Sequence, residues 1–241
     1  AQTLPALAAD VQVAWLWPTP WGQVVIDTTG ANNTHVLHDP LLVVDAAGDD
    51  RYIFASRSDR NRIAVVLDTA GDDRYEARTP GSDAAAGLLG FGVLWDAGGD
   101  DHYQGGWLAQ AAAVMGAALL VDGGGNDRYD ATGLAQGYAL AGLAVLADLA
   151  GADRYAAATH AQGSAGPGAV ALLFDAVGDD RYTLLAEPVV LRSSQMPDRN
   201  ASMGQGAGRG WQAEGLAAAL PGGVGLLVDL AGDDRYSAQV F

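Results

Sequence analysis

The chain has 241 residues, with 13 Lys plus Arg against 29 Asp plus Glu and a formal net charge of −16. That balance argues against a nucleic-acid partner, whose phosphates need a basic face, and favours cations. There is no cysteine, which excludes disulfides, thiolate metal sites and cysteine nucleophiles, while 33 glycines point to tight turns and close backbone packing.

Residues 1–21 precede the regular part of the chain. The opening AQTLPALAAD lacks the basic region and long apolar run of a signal peptide, and suits the start of an already processed secreted protein. The stretch Trp15-Leu16-Trp17-Pro18-Thr19-Pro20-Trp21 is aromatic and proline-rich. It reads as a cap over the end of a repeat array, with ligand stacking by Trp15, Trp17 and Trp21 as the alternative.

From residue 22 onward an octapeptide recurs. It begins at Asp45 (DAAGDDRY), Asp68 (DTAGDDRY), Asp96 (DAGGDDHY), Asp122 (DGGGNDRY), Asp148 (DLAGADRY), Asp175 (DAVGDDRY) and Asp229 (DLAGDDRY), with a degenerate copy at Asp27 (DTTGANNT). The starts are separated by 18, 23, 28, 26, 26, 27 and 54 residues. Such spacing is the mark of a solenoid, here of about eight rungs of ~26 residues. Short apolar runs end at the first Asp of each copy, as in Val24-Val25-Ile26-Asp27 and Val65-Val66-Leu67-Asp68, and read as buried strands. Residues 134–145 alone would suit an Ala-rich helix, but the equivalent Gln162-Gly163-Ser164-Ala165-Gly166-Pro167-Gly168 would not. The expectation is therefore all-β, a right-handed parallel β-helix over residues 22–241, with an α/β solenoid as the alternative.

Gln110, Gln136 and Gln162 each lie 14 residues after the first Asp of their copy and are expected to stack as a ladder along the axis. Insertions are expected near residues 185–200 and 211–222. Long insertions in repeat proteins map to loops that often carry binding. The last copy ends five residues before the terminus, so the expectation is that the chain continues in a parent protein or packs its end on a partner. No apolar run has the ~20 residues of a membrane span; the nearest, residues 106–121, contains Gln110.

The first Asp and fourth Gly suit a tight turn with the Asp side chain capping it. The sixth slot is Asp in every full copy and the eighth is Tyr, placed inward as a core anchor. At a strand spacing of ~4.8 Å, columns of carboxylates crowd like charges. Two remedies present themselves: Arg in the seventh slot bridging neighbouring carboxylates, or Ca²⁺ held between turns by carboxylate and carbonyl oxygens.

Here Gly123-Gly124-Gly125-Asn126-Asp127-Arg128-Tyr129 resembles the Ca²⁺-binding nonapeptide of RTX β-rolls, and every full copy keeps the same G-x-D-x-Y core. The first Asp replaces a glycine of that family, and the ~26-residue period is longer than its rung. The resemblance implies Ca²⁺ ligation by Asp50, Asp73, Asp101, Asp127, Asp153, Asp180 and Asp234, with first-slot Asp45, Asp68, Asp96, Asp122, Asp148, Asp175 and Asp229 as accompanying ligands.

No G-x-S-x-G, H-E-x-x-H or P-loop pattern is present. A catalytic pair should stand out from the repeat, which leaves only His35, His38, His160, Arg192, Asp198 and Arg199, so the reading leans away from an enzyme. The functional expectation is an extracellular or periplasmic structural or adhesion module stabilised by Ca²⁺. The alternatives are a carbohydrate-binding or polysaccharide-degrading β-helix, and a subunit pairing with a protein partner through an open end.

Overall fold

The computed structural model describes residues 14–58, 63–201, 203–212 and 219–238. Among them there is no helix, which removes the α/β alternative. The chain is a parallel β-solenoid. Its first sheet stacks eight parallel strands in order: Gly22–Asp27, Pro40–Asp45, Ile63–Leu67, Phe91–Trp95, Ala117–Asp122, Leu143–Asp148, Val170–Asp175 and Val224–Asp229. The second sheet stacks another eight, from Thr34–His38 to Arg235–Ala238. The third face is complete in five rungs. It is formed by Ala86–Leu88, Ala112–Val114 and Tyr138–Leu140, then by bridges from Ala139 to Ala165 and from Ala165 to Gly208.

Register repeats the motif: Asp122 pairs with Asp148, Asp148 with Asp175 and Asp175 with Asp229. In the second sheet Tyr52, Tyr75, Tyr103, Tyr129, Tyr155, Tyr182 and Tyr236 form one column. The degenerate first copy is one residue longer, so His35, not Thr34, faces Tyr52. Of the segment expected to act as a cap, residues 1–13 lie outside the described residues. Ala14–Thr19 folds back antiparallel on Gly22–Asp27, with Trp17 and Trp21 exposed.

The core lies between the sheets. Leu94, Leu120, Leu146 and Leu173 point inward from the first sheet, the tyrosines from the second, and alanines such as Ala85, Ala113, Ala139 and Ala165 from the third face. The apolar runs of the first sheet, read from sequence as buried strands, are buried only at alternate positions. The strand period of two sends the intervening residues to the outer surface.

The fourth-slot glycines are required by this stacking. A Cβ on Gly125 would sit 1.7 Å from the Gly99 carbonyl oxygen, and one on Gly151 1.7 Å from that of Gly125. Beyond the regular rungs, residues 186–200 form an irregular loop around Asn200, which is fully buried. Its Oδ1 accepts the N–H groups of Val190 and Leu191, and its Nδ2 donates to the carbonyls of Pro188 and Ala186. The second insertion carries an antiparallel pair, Trp211–Gln212 with Ala219–Leu220. Among the described residues no helix is long and apolar enough to cross a membrane.

Candidate functional site

Every turn between the first and second sheets carries the motif, so its side chains form continuous columns. The first-slot Asp bends back on its own turn: Oδ1 of Asp96 accepts the Gly98 N–H at 2.8 Å, and Oδ1 of Asp122 that of Gly124 at 2.9 Å. Its Oδ2 accepts tyrosine hydroxyls. Tyr103 donates to Asp122 at 2.6 Å, Tyr129 to Asp148 at 2.8 Å and Tyr155 to Asp175 at 2.8 Å, each reaching the next rung. The rings between them stack with centroids 4.7–4.9 Å apart and planes within 7°.

The sixth-slot Asp binds the neighbouring rung. Oδ1 of Asp73, Asp101, Asp127 and Asp153 accepts the backbone N–H of Asp50, Asp73, Asp101 and Asp127, each at 2.6 Å. The fifth slot does the same in the opposite direction on the exposed side: Asp72 donates its N–H to Asp49, and Asp100 to Asp72. A parallel ladder cannot pair every N–H in a turn, and these carboxylates take the remainder.

The other oxygen of the sixth slot has no partner. Oδ2 of Asp50, Asp73, Asp101, Asp127, Asp153 and Asp180 is buried without a hydrogen bond, and so is Oδ1 of Asp45, Asp175 and Asp229. All six of those sixth-slot residues are at most 2 % exposed. First- and sixth-slot groups converge: Asp73, Asp96 and Asp101, then Asp101, Asp122 and Asp127, then Asp127, Asp148 and Asp153, each bring three carboxylate oxygens within 4.8 Å of one another. The first-slot and sixth-slot residues named in the sequence analysis, through Asp180, thus form one buried column. Asp229 and Asp234 continue it in the last described rung, where Asp234 accepts the N–H of Asp180 at 3.0 Å.

Burial raises the carboxyl pKa values from Asp50 and Asp68 through Asp96, Asp122, Asp127, Asp148, Asp153, Asp175 and Asp180, and neighbouring carboxylates add to it. Desolvation takes Asp50 to about 6 despite the opposing Asn33 N–H. It takes Asp73 and Asp101 to about 9.

The seventh-slot arginines do not compensate this charge, contrary to the expected bridging. They sit on the outer face of the second sheet. Arg51, Arg74 and Arg78 surround Glu76 at 2.5–2.8 Å, and Arg128 and His102 meet Asp130. The reason is strand parity: slot seven points opposite to slots six and eight. Glu76 is correspondingly held below its ordinary pKa, first by the Arg51 hydrogen bond. At the first rung the column changes composition. There Asn33 stands where later rungs have a sixth-slot Asp, and His35 replaces Tyr, stacking on Tyr52 at 5.2 Å. Its Nε2 lies 3.1 Å from Asp45 and 3.7 Å from Asp27. Burial opposes its charge, but the Asp45 hydrogen bond and the charges of Asp45, Asp50 and Asp27 raise its pKa.

The glutamines also differ from expectation. They do not bond to one another. Each Nε2 joins two backbone carbonyls of adjacent rungs: Gln110 to Tyr103 and Asp130, Gln136 to Tyr129 and Ala156, Gln162 to Tyr155 and Thr183. A left-handed backbone at all three, φ 52–57°, turns the side chain inward.

The non-repeat candidates do not assemble into a catalytic group. His35 and His38 lie on Thr34–His38, and Arg192, Asp198 and Arg199 on the loop around Asn200. His160 lines a separate groove of about 590 Å³ with Tyr138, Met203, Arg209, Trp211 and Pro221. Burial, reinforced by the Arg209 charge, lowers the His160 pKa to about 4, so the ring is neutral near pH 7. Its Nδ1 is 2.8 Å from Thr159 Oγ1.

The column has only oxygen donors apart from His35, and it retains unpartnered buried oxygens. That donor set fits a hard divalent cation better than a soft one. Compared with protein-family models, curated proteins and solved structures, the chain matches none.

Proposed function

We propose that this chain is a non-catalytic structural repeat module, a rigid solenoid stabilised by divalent cations, Ca²⁺ foremost, between its rungs. The observation that carries the reading is the row of buried, unpartnered sixth-slot oxygens facing first-slot carboxylates. Each full rung places two aspartates inside, and one divalent cation per rung neutralises both. Asp50, Asp73, Asp101, Asp127, Asp153 and Asp180 would hold the ions with Asp45, Asp68, Asp96, Asp122, Asp148 and Asp175; Asp229 and Asp234 would serve the last rung. The ion supplies positive charge and oxygen coordination in the dry interior, where an isolated carboxylate is costly. The likeness of G-x-D-x-Y to the RTX nonapeptide supports the same assignment. An extracellular or periplasmic location, with adhesion to a protein or glycan, fits a module of this kind, because extracellular Ca²⁺ sites work at millimolar ion concentrations.

A second reading rests on a separate observation. The first- and sixth-slot carboxyls of one rung converge, as at Asp122 with Asp127, and burial raises the pKa values of both. Protons shared within these pairs would then replace the metal. A glycan in the His160 groove has less support, because the lining offers few polar groups for sugar hydroxyls.

Thermal melts of the full chain in EGTA, with Ca²⁺ added back and Mg²⁺ as control, test the proposal. A Ca²⁺-specific rise in Tm supports the cation reading, since a ligand of the folded state alone must stabilise it. An unchanged Tm, with no metal found by elemental analysis, leaves the proton pairs.

A further inference from the structure

Among the described residues no strand packs across the outer surface of the first sheet. Its central outward column runs Val65, Val93, Leu119, Val145, Leu172 and Leu226, in register across six strands, and Val24 and Leu42 extend it across the first two. The columns beside it run from Ile63 to Val224 and from Leu67 to Val228. Every outward residue in these six strands is apolar. Exposure reaches 43 % at Phe91, 47 % at Leu143 and 54 % at Val224.

The second sheet shows the contrast. Its outward column is Arg51, Arg74, His102, Arg128, Arg154, Arg181 and Arg235, as expected for a face in water.

Six strands at ~4.8 Å with three outward columns at ~6.7 Å, two of them continued across the first two strands by Val24 with Leu42 and Ile26 with Val44, make an apolar area of roughly 700 Å². Monomers rarely expose more than about 300–600 Å² of contiguous apolar surface, and standard-size interfaces bury about 600–1,000 Å² per partner. We infer that a second copy of this chain covers the face, the two first sheets packing against each other as in a β-sandwich. An isologous pairing uses the same face on both copies and so closes on itself.

Charge at the edges selects the orientation. The strands all run into the acidic turns, so one long edge carries the exposed carboxylates of Asp49, Asp72, Asp100, Asp179 and Asp233. The opposite edge is neutral where Leu89-Gly90, Met115-Gly116 and Ala141-Gly142 form its turns. With the solenoid axes parallel, strands run antiparallel across the interface and each acidic edge meets a neutral one. With the axes antiparallel, the two acidic edges coincide and repel. The parallel arrangement brings Leu172 of each copy opposite Leu172 of the other.

Sedimentation of the full chain at micromolar concentration, together with crosslinking, tests this. The chain has no cysteine, so Leu172→Cys introduces a single thiol. The expected results are a dimer for the natural sequence, and covalent dimer formation by Leu172→Cys with a short bis-maleimide. The paired substitution Leu119→Asp and Leu172→Asp, both outward, is expected to give a monomer with unchanged strand circular dichroism. A natural chain that sediments as a monomer overturns the inference, whether or not it then binds phosphatidylcholine vesicles. So does a dimer in which Leu172→Cys fails to crosslink. Should the Asp pair fail to fold, the crosslink on the otherwise natural chain still decides.

Discussion

Two residue types in the motif act through close contacts with the neighbouring rung. Gly125 lies under the Gly99 carbonyl, whereas a Cβ on Gly106 would meet nothing within 4 Å. Gly125→Ala is therefore expected to destabilise the chain by about 3 kcal/mol through forced separation of two rungs, and Gly106→Ala to change little. Paired urea melts check this. Tyr129 donates to Asp148 at 2.8 Å and approaches Asp122 at 3.4 Å. Tyr129→Phe keeps the stacked ring but removes the donor from two buried carboxylates, for an expected loss of roughly 1–3 kcal/mol. The same melts measure it.

Neighbouring rungs are joined by side chains that satisfy backbone groups. Gln136 holds the carbonyls of Tyr129 and Ala156 together at 3.0 Å each. Gln136→Ala is expected to cost about 1–3 kcal/mol and to speed amide exchange in the strands Arg128–Asp130 and Arg154–Ala157, which hydrogen-exchange mass spectrometry would show. Asp127→Asn separates the two readings of the column. The amide oxygen can still accept the Asp101 N–H, while its NH₂ can donate to a neighbouring carboxylate. In the metal-free state this variant is expected to be at least as stable as the parent, and it should lower the bound Ca²⁺ count by elemental analysis.

Across the whole molecule the buried aspartates act together through pH. A carboxyl whose folded pKa lies above its unfolded value holds its proton more tightly when folded. Its contribution is full below about pH 4, the ordinary Asp value. It is lost as pH rises through the folded values, about 6 at Asp50 and about 9 at Asp73 and Asp101. Metal-free protein is thus expected to lose Tm steadily between pH 4 and 9. Ca²⁺ needs the ionised groups, so its stabilising increment is expected to grow over the same interval. Melts on a pH grid with and without Ca²⁺ check both slopes, and an increment independent of pH would argue against carboxylate ligation.

The sequence by itself determined the repeat, and with it the parallel β-solenoid, the inward tyrosines and the alignment of the aspartates. An eight-residue pattern recurring seven times admits only one register, since a slip of one residue would turn Tyr out and Arg in. The first copy was misread by one residue, because DTTGANNT offers no Tyr to fix its end, so His35 passed for a lone histidine. What only the tertiary structure decided was which partners the polar groups find. Slot parity predicts that Arg points away from Asp, but not that Glu76 and Asp130 wait on the same outer face. The spacing of the glutamines predicts a column, but the left-handed backbone that aims Nε2 at two carbonyls depends on the rungs on either side. The unpartnered Asp oxygens and the continuous apolar face of the first sheet likewise emerge only in three dimensions. Both are properties of a stack, and no single rung contains them.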